Sequence, residues 1–406
     1  MAEFLVPELD PAGLDRVRRL LADLRTVPEL TERYAGAGAV RGLADLAGVP
    51  VMTKDDLQVA LRHLRPRAAD GATWVFQSGG STGAPQLGYA PTGLYMREVH
   101  DHWRPLDRDD VFVNGWSAGK MWGAHFLVNA YLDHVGCTAM NLGALAATEY
   151  DPWLDFFAAQ RVTGIGGTPS VLALLFRHAS DAGVKLPDLR TVLWLGEAWD
   201  PRLDDDLRAV APDARRWGMF GSTETWVVAT NTPDCAADTW HPLPSQLVCV
   251  DDDEFLDFTA LNPTGLNPVL RYRTGDAGRF VGCSCGRPGR AVRVLGRRDG
   301  LVKFRGHLVN VADLVDDVCA RPGVARAQLV VTEYADRGGL LEVLVQPRRD
   351  AAPDLADRVR SHLLGSGFGP SIVFQRNPDA LSVTVVDRLV ANERTGKVAN
   401  LIRRAR

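Results

Sequence analysis

Between residues 74 and 296, short apolar segments alternate with longer segments of helical periodicity. The apolar segments are rich in β-branched and aromatic residues, and we predict strands at 74–77, 111–116, 191–195 and 227–232. We predict the intervening helices at 152–160, 169–179 and 201–210. Strands that alternate with helices in this way are typical of a sheet whose strands are joined by helical crossovers. The sequence therefore predicts a large α/β domain.

The pattern changes after Asp299, where short strands surround two helices. The strands are predicted at 301–305, 327–334, 341–347, 371–375 and 382–389, and the helices at 311–320 and 353–364. This pattern favours a small α+β domain, and a chain of 406 residues exceeds the length of about 250–300 at which one core stops growing. We therefore predict a large domain at 1–296, a hinge at 297–300 and a small domain at 301–406.

Capping residues predict where two helices begin. We expect amphipathic helices at 10–25 and 54–63. The second should begin at Lys54, because Thr53 and Asp56 have the spacing of an N-cap arrangement. Thr168 precedes a proline, so we expect its hydroxyl to cap the helix at 169–179.

The overall charge argues against some classes of partner. The formal net charge is -4 and the pI is near 6.2, without the basic excess of nucleic-acid binding proteins. No run of about 18 apolar residues occurs, and the N-terminus lacks the features of a secretory leader. We therefore expect a cytoplasmic protein with no nucleic-acid or membrane partner, and a homodimer stays open.

A loop rich in glycine and hydroxyl groups follows the predicted strand at 74–77. It reads Ser78-Gly79-Gly80-Ser81-Thr82-Gly83. Glycines let the backbone approach an anion closely, and the hydroxyls add donors, so the loop favours phosphate binding. It is not a Walker A loop, which requires Gly-Lys-Ser/Thr after the intervening residues. The alternative is a plain hydrophilic turn.

Four further short motifs follow this loop in order. They are Phe220-Gly221-Ser222-Thr223-Glu224, Arg273-Thr274-Gly275-Asp276, Gly296-Arg297-Arg298-Asp299 and Thr395-Gly396-Lys397. A glutamate can hold Mg²⁺ beside phosphates, an aspartate can bind a ribose diol, and a lysine can neutralise charge at a reacting phosphorus. Together with the loop, these motifs indicate an enzyme that binds a nucleotide.

The order and spacing of these motifs resemble the adenylate-forming superfamily of acyl-CoA synthetases, and within it the phenylacetate-CoA ligase-like branch. Residues 46–57 also look like the leader segment of that branch, so the resemblance covers nearly the whole chain. The resemblance implies a large adenylation domain of mixed sheets and helices, and a small mobile α+β domain that carries the catalytic lysine. It also implies that ATP and Mg²⁺ are bound.

The resemblance assigns the phosphates and the reacting centre to particular residues. The loop at 78–83 and Thr223 contact the phosphates, and Glu224 binds Mg²⁺. Lys397 corresponds to the lysine that stabilises the crowded phosphorus centre as a carboxylate displaces pyrophosphate. The loop departs from the usual pattern, because Ala84 stands where the superfamily usually has lysine.

The resemblance also assigns the nucleoside. Asp276 matches the ribose-binding aspartate, Arg297 meets ribose or phosphate, and Asp299 absorbs the hinge rotation. The residues on the adenine side are Gly196, Glu197, Ala198, Phe220, Gly221 and Ser222. From the residues alone, Glu197 could instead cap a helix at 200–201.

Three cysteines and a histidine form a second candidate set. They are Cys235, His241, Cys283 and Cys285. Three thiolates and one imidazole suit tetrahedral Zn²⁺, so we expect a structural zinc that joins two segments of the large domain. The alternatives are reduced, partly buried thiols, or a site in which Cys249 replaces one ligand.

Aromatic and basic residues cluster after the strand predicted at 111–116. The candidate substrate-pocket residues are Trp116, Lys120, Trp122 and His125. An aromatic lining suits a flat aryl group or a short acyl group, and Lys120 or His125 could pair with a carboxylate or a polar substituent. The alternative is that the aromatic side chains belong to the core.

The activity implied by the resemblance is ATP-dependent activation of a small organic acid, for which we expect an aromatic one. Acyl-adenylate formation releases pyrophosphate, and the acyl group then passes to a thiol such as coenzyme A. The alternatives are transfer to a carrier protein or to an amine in specialised metabolism, and a non-catalytic nucleotide-binding homologue.

Overall fold

The structure, a computed structural model, divides the chain into two compact units. They are Met1–Leu295 with Arg394–Gly396, and Gly296–Glu393 with Lys397–Arg406. The described residues are 2–6, 8–78, 86–297, 301–304, 307–333, 339–365, 374–375, 378–393 and 395–405. Among them, no helix combines the length and the hydropathy needed to cross a bilayer.

The helices of the first unit lie mostly between its strands. They are α1 Pro11–Arg25, α2 Pro28–Ala35, α3 Leu43–Ala47, α4 Lys54–Leu64, α5 Met96–His102, α6 Ala124–Val135, α7 Tyr150–Ala159, α8 Pro169–Asp181 and α9 Leu203–Val210. Helix α4 begins at Lys54 as predicted, because Thr53 and Asp56 cap it reciprocally: each side chain accepts a hydrogen bond from the other's backbone N–H.

The strands of the first unit form a twelve-stranded sheet and a separate hairpin. They are β1 Glu3–Phe4, β2 Thr73–Gln77, β3 Leu87–Pro91, β4 Val111–Asn114, β5 Thr138–Asn141, β6 Gly164–Gly167, β7 Thr191–Leu195, β8 Arg215–Ser222, β9 Trp226–Asn231, β10 Thr239–Pro242, β11 Gln246–Val250, β12 Phe255–Ala260, β13 Tyr272–Val281 and β14 Ala291–Arg297. The large sheet has the order β1-β11-β12-β13-β14-β10-β9-β8-β7-β6-β4-β5, and β2 pairs with β3.

Strands β5, β4, β6, β7 and β8 are parallel to their neighbours, and β9 returns antiparallel to β8. The carboxyl ends of parallel strands meet at one edge of a sheet, where ligands of α/β proteins bind. The segments that leave this edge begin at Gly115, Thr168, Gly196 and Thr223. The topology therefore brings several of the predicted motifs to a common edge.

Strand β7 separates two parts of the core. Val192 and Trp194 pack into one buried cluster, whereas Leu193 between them packs into another that contains Trp116. This alternation is expected because successive side chains of a strand point to opposite faces. Close packing also requires a glycine in β6, since a Cβ on Gly166 would lie 2.3 Å from the Trp116 ring.

The second unit is a smaller α+β structure with its own core. Its helices are α10 Val311–Cys319 and α11 Leu355–Gly365, and its strands are β15 Leu301–Phe304, β16 His307–Asn310, β17 Val324–Glu333, β18 Leu340–Pro347, β19 Leu381–Val385 and β20 Leu401–Ala405. Strands β15 and β16 pair with each other, and the others form a sheet of order β19-β18-β17-β20. Buried aliphatic side chains of α10 and α11 pack with those of β17 and β18.

Several element predictions in the second unit differ from the structure. The predicted strand at 382–389 ends at Val385, and 371–373 lie outside the described residues, while 374–375 are helical rather than extended. Strand β20, which contains two arginines, was not predicted. It pairs in parallel with β17, so Leu401 and Ile402 lie beside buried strand residues.

Candidate functional site

The predicted phosphate loop connects the two strands of the β2–β3 hairpin. Gln77 pairs with Leu87, and just beyond them Ser78 and Gln86 close the loop: Ser78 N donates to Gln86 O and Gln86 N donates to Ser78 Oγ, each at 2.8 Å. The remaining loop residues in our prediction lie outside the described part of the chain: Gly79, Gly80, Ser81, Thr82 and Gly83.

The hairpin lies directly against Thr223. Gly88 in β3 has no room for a side chain, because a Cβ there would lie 2.0 Å from the Thr223 carbonyl oxygen. The strand that leaves the loop at 78–83 therefore contacts the turn between β8 and β9. The strand that follows the loop and the turn that carries Glu224, about 135 residues apart in sequence, are therefore adjacent in the fold.

The turn between β8 and β9 is held by its own hydroxyl groups. Ser222 Oγ accepts from the backbone N–H of Glu224 at 3.3 Å and of Thr225 at 3.2 Å, and Thr225 Oγ1 accepts from Ser222 N at 3.2 Å. Gly221 is required here, since a Cβ would lie 1.7 Å from the Trp226 carbonyl oxygen. These contacts fix the backbone around Glu224.

The Glu224 carboxylate is nearly buried, with 6% of the residue exposed. Its backbone carbonyl accepts from Asn267 Nδ2 at 2.6 Å, but among the described residues its side chain has neither a hydrogen-bond partner nor an ion-pair partner. A shielded carboxylate without a partner is costly unless a cation or another donor meets it. The donor set and burial therefore fit a divalent cation such as Mg²⁺.

Phe220 lies in an aromatic cluster at the end of β8. Its ring centroid is 5.5 Å from that of Trp240 and 6.2 Å from that of Phe258, and the residue stays partly exposed. The residues that follow it, Gly221 and Ser222, are also at least partly exposed. This end of β8 can offer an aromatic face to a planar ring.

Glu197 caps helix α8. Its Oε2 accepts from Ser170 N at 2.9 Å, in the first turn of the helix. The predicted cap was wrong, since Thr168 makes no capping hydrogen bond and its buried hydroxyl has no partner in the part of the chain that the structure describes. On either side of Glu197, Gly196 and Ala198 are exposed, and Gly196 has a φ of +92°.

Asp276 lies in β13 and is oriented by Thr274. Thr274 Oγ1 donates to Asp276 Oδ2 at 2.7 Å and accepts from Asp276 N at 3.2 Å. Gly275 between them has a φ of +94°, a conformation that glycine adopts without strain. The carboxylate therefore has a defined orientation.

Ion pairs around the buried Asp257 hold the strand that carries Asp276. Arg273 Nε donates to Asp257 Oδ1 at 2.8 Å, and Arg273 also contacts Asp251. Arg271 lies 3.5 Å from Asp257 and donates to backbone carbonyls of residues 47 and 49. Burial raises the pKa of Asp257 although both arginines oppose the rise. This network joins β12, β13 and the segment after α3.

Three predicted site residues remain, which are Arg297 at the end of β14, Asp299 in the predicted hinge and Lys397 in the second unit. Arg297 is exposed at the end of β14, after Gly296 with a φ of +110°, whereas Asp299 lies outside the described residues. Lys397 follows Gly396, and Asn392 N donates to the Lys397 carbonyl at 2.8 Å, which closes a turn. The hinge and the catalytic lysine stay predictions.

The candidate acyl-pocket residues lie between the end of β4 and the first turn of α6, which contains His125. Trp116, Trp122 and His125 are 1%, 5% and 7% exposed, whereas Lys120 is exposed with a φ of +47°. His125 Nδ1 lies 2.7 Å from the Trp116 carbonyl oxygen. The aromatic rings thus belong largely to the core, while His125 anchors the loop.

The structure brings the four candidate zinc ligands together. The ligand atoms of Cys235, His241, Cys283 and Cys285 all lie within 4.8 Å of one another. The Cys285 sulfur is 3.2 Å from His241 Nε2. Burial raises the pKa of the Cys235 thiol to about 11 and lowers the pKa of His241 to about 4. Cys249, the alternative ligand, is buried at another position in β11.

Three residues with structural roles in this site were not singled out from the sequence. Gly88 contacts Thr223, Asn267 binds the Glu224 carbonyl and Thr225 completes the turn. The hydroxyl of Thr225, next to the Glu224 motif, was a usable signal for a local turn. The other two contacts join distant segments, so nothing in the local sequence indicates them.

Curated proteins with similar sequences include a carrier-protein ligase and peptide synthetases. The chain is 27% identical over 243 residues to an L-proline--[L-prolyl-carrier protein] ligase of Pseudomonas fluorescens. This alignment covers 52% of this chain and 47% of the relative. It is 30% identical over 330 residues to the probable non-canonical nonribosomal peptide synthetase CymA of Salinispora arenicola. This alignment covers 73% of this chain and 4% of the relative. The chain thus spans about half of the first relative and a small part of the second.

Solved structures with a similar fold include two ligand-bound proteins. A 2-hydroxyisobutyryl-CoA ligase in the postadenylation state, with 2-HIB-AMP, aligns over 97% of this chain and 89% of its own, with a TM-score of 0.70 and 17% identity. ATP-bound MatB from Rhodopseudomonas palustris aligns over 79% of this chain and 65% of its own, with a TM-score of 0.58 and 19% identity. At these identities the likeness concerns the fold, and it confirms the predicted α/β fold class.

The family model described as AMP-binding enzyme matches residues 21–261. The match includes the loop at 78–83 and the Glu224 turn, and it covers more than half of the chain. The chain therefore belongs to the AMP-binding enzyme family.

Proposed function

We propose that the protein forms an acyl adenylate from ATP and a small organic acid, as in the phenylacetate-CoA ligase-like branch. The family membership and the order of the motifs support this proposal. The observation that carries it is the Glu224 turn. The turn packs against strand β3 of the hairpin that holds the predicted phosphate loop, and it presents a nearly buried carboxylate that has no partner among the described residues.

In this proposal the first unit binds the nucleotide. The loop at 78–83 and Thr223 donate hydrogen bonds to the phosphates, and Asp276, oriented by Thr274, accepts from the ribose hydroxyls. Phe220 packs on the adenine beside residues 196–198. Glu224 holds the divalent cation of ATP·Mg²⁺, which neutralises phosphate charge when it is bound.

The reaction joins a carboxylate oxygen of the acid to the α-phosphorus of ATP. The bond between the α-phosphorus and pyrophosphate breaks, and pyrophosphate leaves with the electron pair. Lys397 stabilises the negative charge that develops at this centre, and Arg297 and Asp299 contribute at the boundary where the second unit rotates. The acyl group then passes from AMP to an acceptor, which we propose to be a thiol such as coenzyme A.

A carrier-protein thiol is the second candidate for the acceptor. The similarity to an L-prolyl-carrier protein ligase and to peptide synthetases favours it. Incubation with ATP and an accepted acid, with and without coenzyme A, distinguishes the two. Consumption of the adenylate only when coenzyme A is added would support the first acceptor, whereas no effect of coenzyme A would favour the second.

Acid-dependent exchange of labelled pyrophosphate into ATP tests the proposed adenylation. We expect Glu224→Gln and Lys397→Ala to lower exchange by more than about 100-fold, because each removes a charge at the reacting phosphates. Lys397→Ala should still bind ATP. Unchanged exchange in both variants would contradict the proposed roles, and a matched control is Lys185→Ala, whose ammonium contacts the Ala209 carbonyl outside this site.

We also propose that Cys235, His241, Cys283 and Cys285 bind a structural zinc ion. Four protein ligands complete a tetrahedral shell and leave no position for a substrate. Glu224 precedes β9 and Cys235 follows it, so a whole strand separates the cluster from the nucleotide site. We expect one equivalent of zinc by metal analysis and a lower melting temperature in Cys283→Ser. Cys137→Ser, outside the cluster, is the control, and an unchanged metal content in Cys283→Ser would contradict the site.

A further inference from the structure

We propose that His125 and Trp116 recognise a hydroxyl group on the acid, so that the substrates are hydroxylated carboxylic acids. This inference rests on the proposed acyl-adenylate formation and specifies its substrate class. It concerns the segment from the end of β4 to the first turn of α6, where one hydrogen-bond acceptor and one buried donor have no partner among the described residues.

The tautomer of His125 follows from its contact with Trp116. His125 Nδ1 is 2.7 Å from the Trp116 carbonyl oxygen, and a carbonyl oxygen only accepts, so Nδ1 carries the proton. In the neutral ring, Nε2 is then an acceptor. Among the described residues, Nε2 has no hydrogen-bond partner, although the residue is only 7% exposed.

Asn114 fixes the loop in this geometry. The residue is fully buried at the end of β4, where its Oδ1 accepts from Trp116 N at 3.3 Å. Its Nδ2 donates to the His125 carbonyl at 3.1 Å and to Asn129 Oδ1 at 2.7 Å. One amide thus positions the backbone of both Trp116 and His125. Such a network keeps the imidazole in a single orientation.

Trp116 supplies the unpaired donor. Its ring is 1% exposed, and its Nε1–H is buried without an acceptor among the described residues. A buried indole N–H usually has a partner, so the lack of an acceptor among the described residues points to a ligand. Trp116 lies against Gly166 at the carboxyl end of β6, on the edge where ligands bind.

The loop and the start of α6 adjoin the proposed nucleotide site. Gln77, just before the loop at 78–83, donates its N–H to the Met121 carbonyl at 2.8 Å. A Cβ on Gly123 would lie 3.3 Å from the Phe76 ring and 3.5 Å from the Trp226 ring. The N-terminus of α6 therefore lies between the strand that enters the loop and the strand that follows Glu224.

A hydroxyl group fits these partners better than the alternatives. It can donate to His125 Nε2 and accept from an N–H such as that of Trp116, whereas a hydrocarbon substituent would leave both groups unpaired. An ammonium group can only donate. The positive end of α6, which no side chain caps, also disfavours a cation.

Three matched sets of acids test the inference by pyrophosphate exchange. They are lactate, propionate and alanine; mandelate, phenylacetate and phenylglycine; and salicylate, benzoate and anthranilate. Within each set the substituent is a hydroxyl, a hydrogen or an amino group. In at least one set we expect the hydroxylated acid to have a kcat/KM at least about tenfold above the other two, as expected for a hydrogen bond made in a shielded site.

Two variants test the assigned partners. His125→Leu removes the acceptor and Trp116→Phe removes the donor while keeping an aromatic ring, and each should reduce the preference for hydroxyl to below about threefold. His125→Gln, which keeps an acceptor, should retain part of it. His63→Leu, on the exposed face of α4, is the control and should keep the full preference.

Binding of non-hydrolysable acyl sulfamoyl adenosines separates this inference from the proposed activity. The pairs are lactyl with propionyl and salicyl with benzoyl, measured by calorimetry. If no acid supports exchange but the hydroxylated analogue binds about tenfold tighter than the other analogue of its pair, the proposed adenylation is refuted and the proposed hydroxyl recognition is supported. Exchange without a hydroxyl preference, or a preference that survives both variants, overturns the recognition alone. If neither analogue of either pair binds, both are overturned.

Discussion

Gly88→Ala tests whether β3 and the Glu224 turn form one site. The new Cβ would lie 2.0 Å from the Thr223 carbonyl oxygen, whereas contacts of real Cβ atoms below 3.0 Å are essentially never seen. Either β3 or the turn must therefore move by about 1 Å. Overpacking of this kind costs about 1–3 kcal/mol of the free energy of unfolding. A displacement of about 1 Å at a reacting centre can lower the rate about 100-fold.

The assays are urea denaturation and acid-dependent pyrophosphate exchange. We expect Gly88→Ala to be less stable by about 1–3 kcal/mol and to exchange about 100-fold more slowly. Gly93→Ala is the matched control, because a Cβ at Gly93, just beyond β3, would meet nothing within 4 Å. Wild-type stability and exchange in Gly88→Ala would refute the contact. A loss of stability with normal exchange would refute its link to the site.

Three further predictions concern residues that support the site. Glu197→Ala removes the cap at Ser170 N and should lower the free energy of unfolding by about 1 kcal/mol in urea denaturation; no change would mean that the cap contributes nothing. Thr274→Val frees the orientation of Asp276 and should raise the KM for ATP about tenfold with little change in kcat; an unchanged KM would argue against ribose binding there. Asp257→Asn leaves the buried Arg271 and the partly exposed Arg273 without this carboxylate and should cost about 3–5 kcal/mol, and a cost below about 1 kcal/mol would contradict the role of the ion pairs.

Local patterns in the sequence predicted much of the first unit. Strand β7 has the predicted bounds of 191–195, and α4 begins at the predicted Lys54. Both predictions use residues that are close together in sequence. For β7 the signal is an apolar run, and for α4 it is a capping box. Convergence of the cysteines and His241 was also predicted, because their ligand types are chemically specific even over a separation of more than 40 residues.

Other features depend on long-range contacts that local patterns do not encode. Strand β20 carries Arg403 and Arg404 and is a strand because it pairs with β17, about 70 residues away. Helix α8 is capped by Glu197 from a different segment rather than by the adjacent Thr168. The steric need for Gly88 likewise follows from tertiary packing alone.

The most direct test of the proposed chemistry is the identity of the nucleotide product. The protein is incubated with ATP, Mg²⁺ and the matched acids, and the nucleotides are separated and identified by mass spectrometry. We predict an acyl-AMP and pyrophosphate, formed only when an accepted acid is present and lost in Glu224→Gln. Formation of ADP, or of AMP at the same rate without any acid, would contradict carboxylate activation.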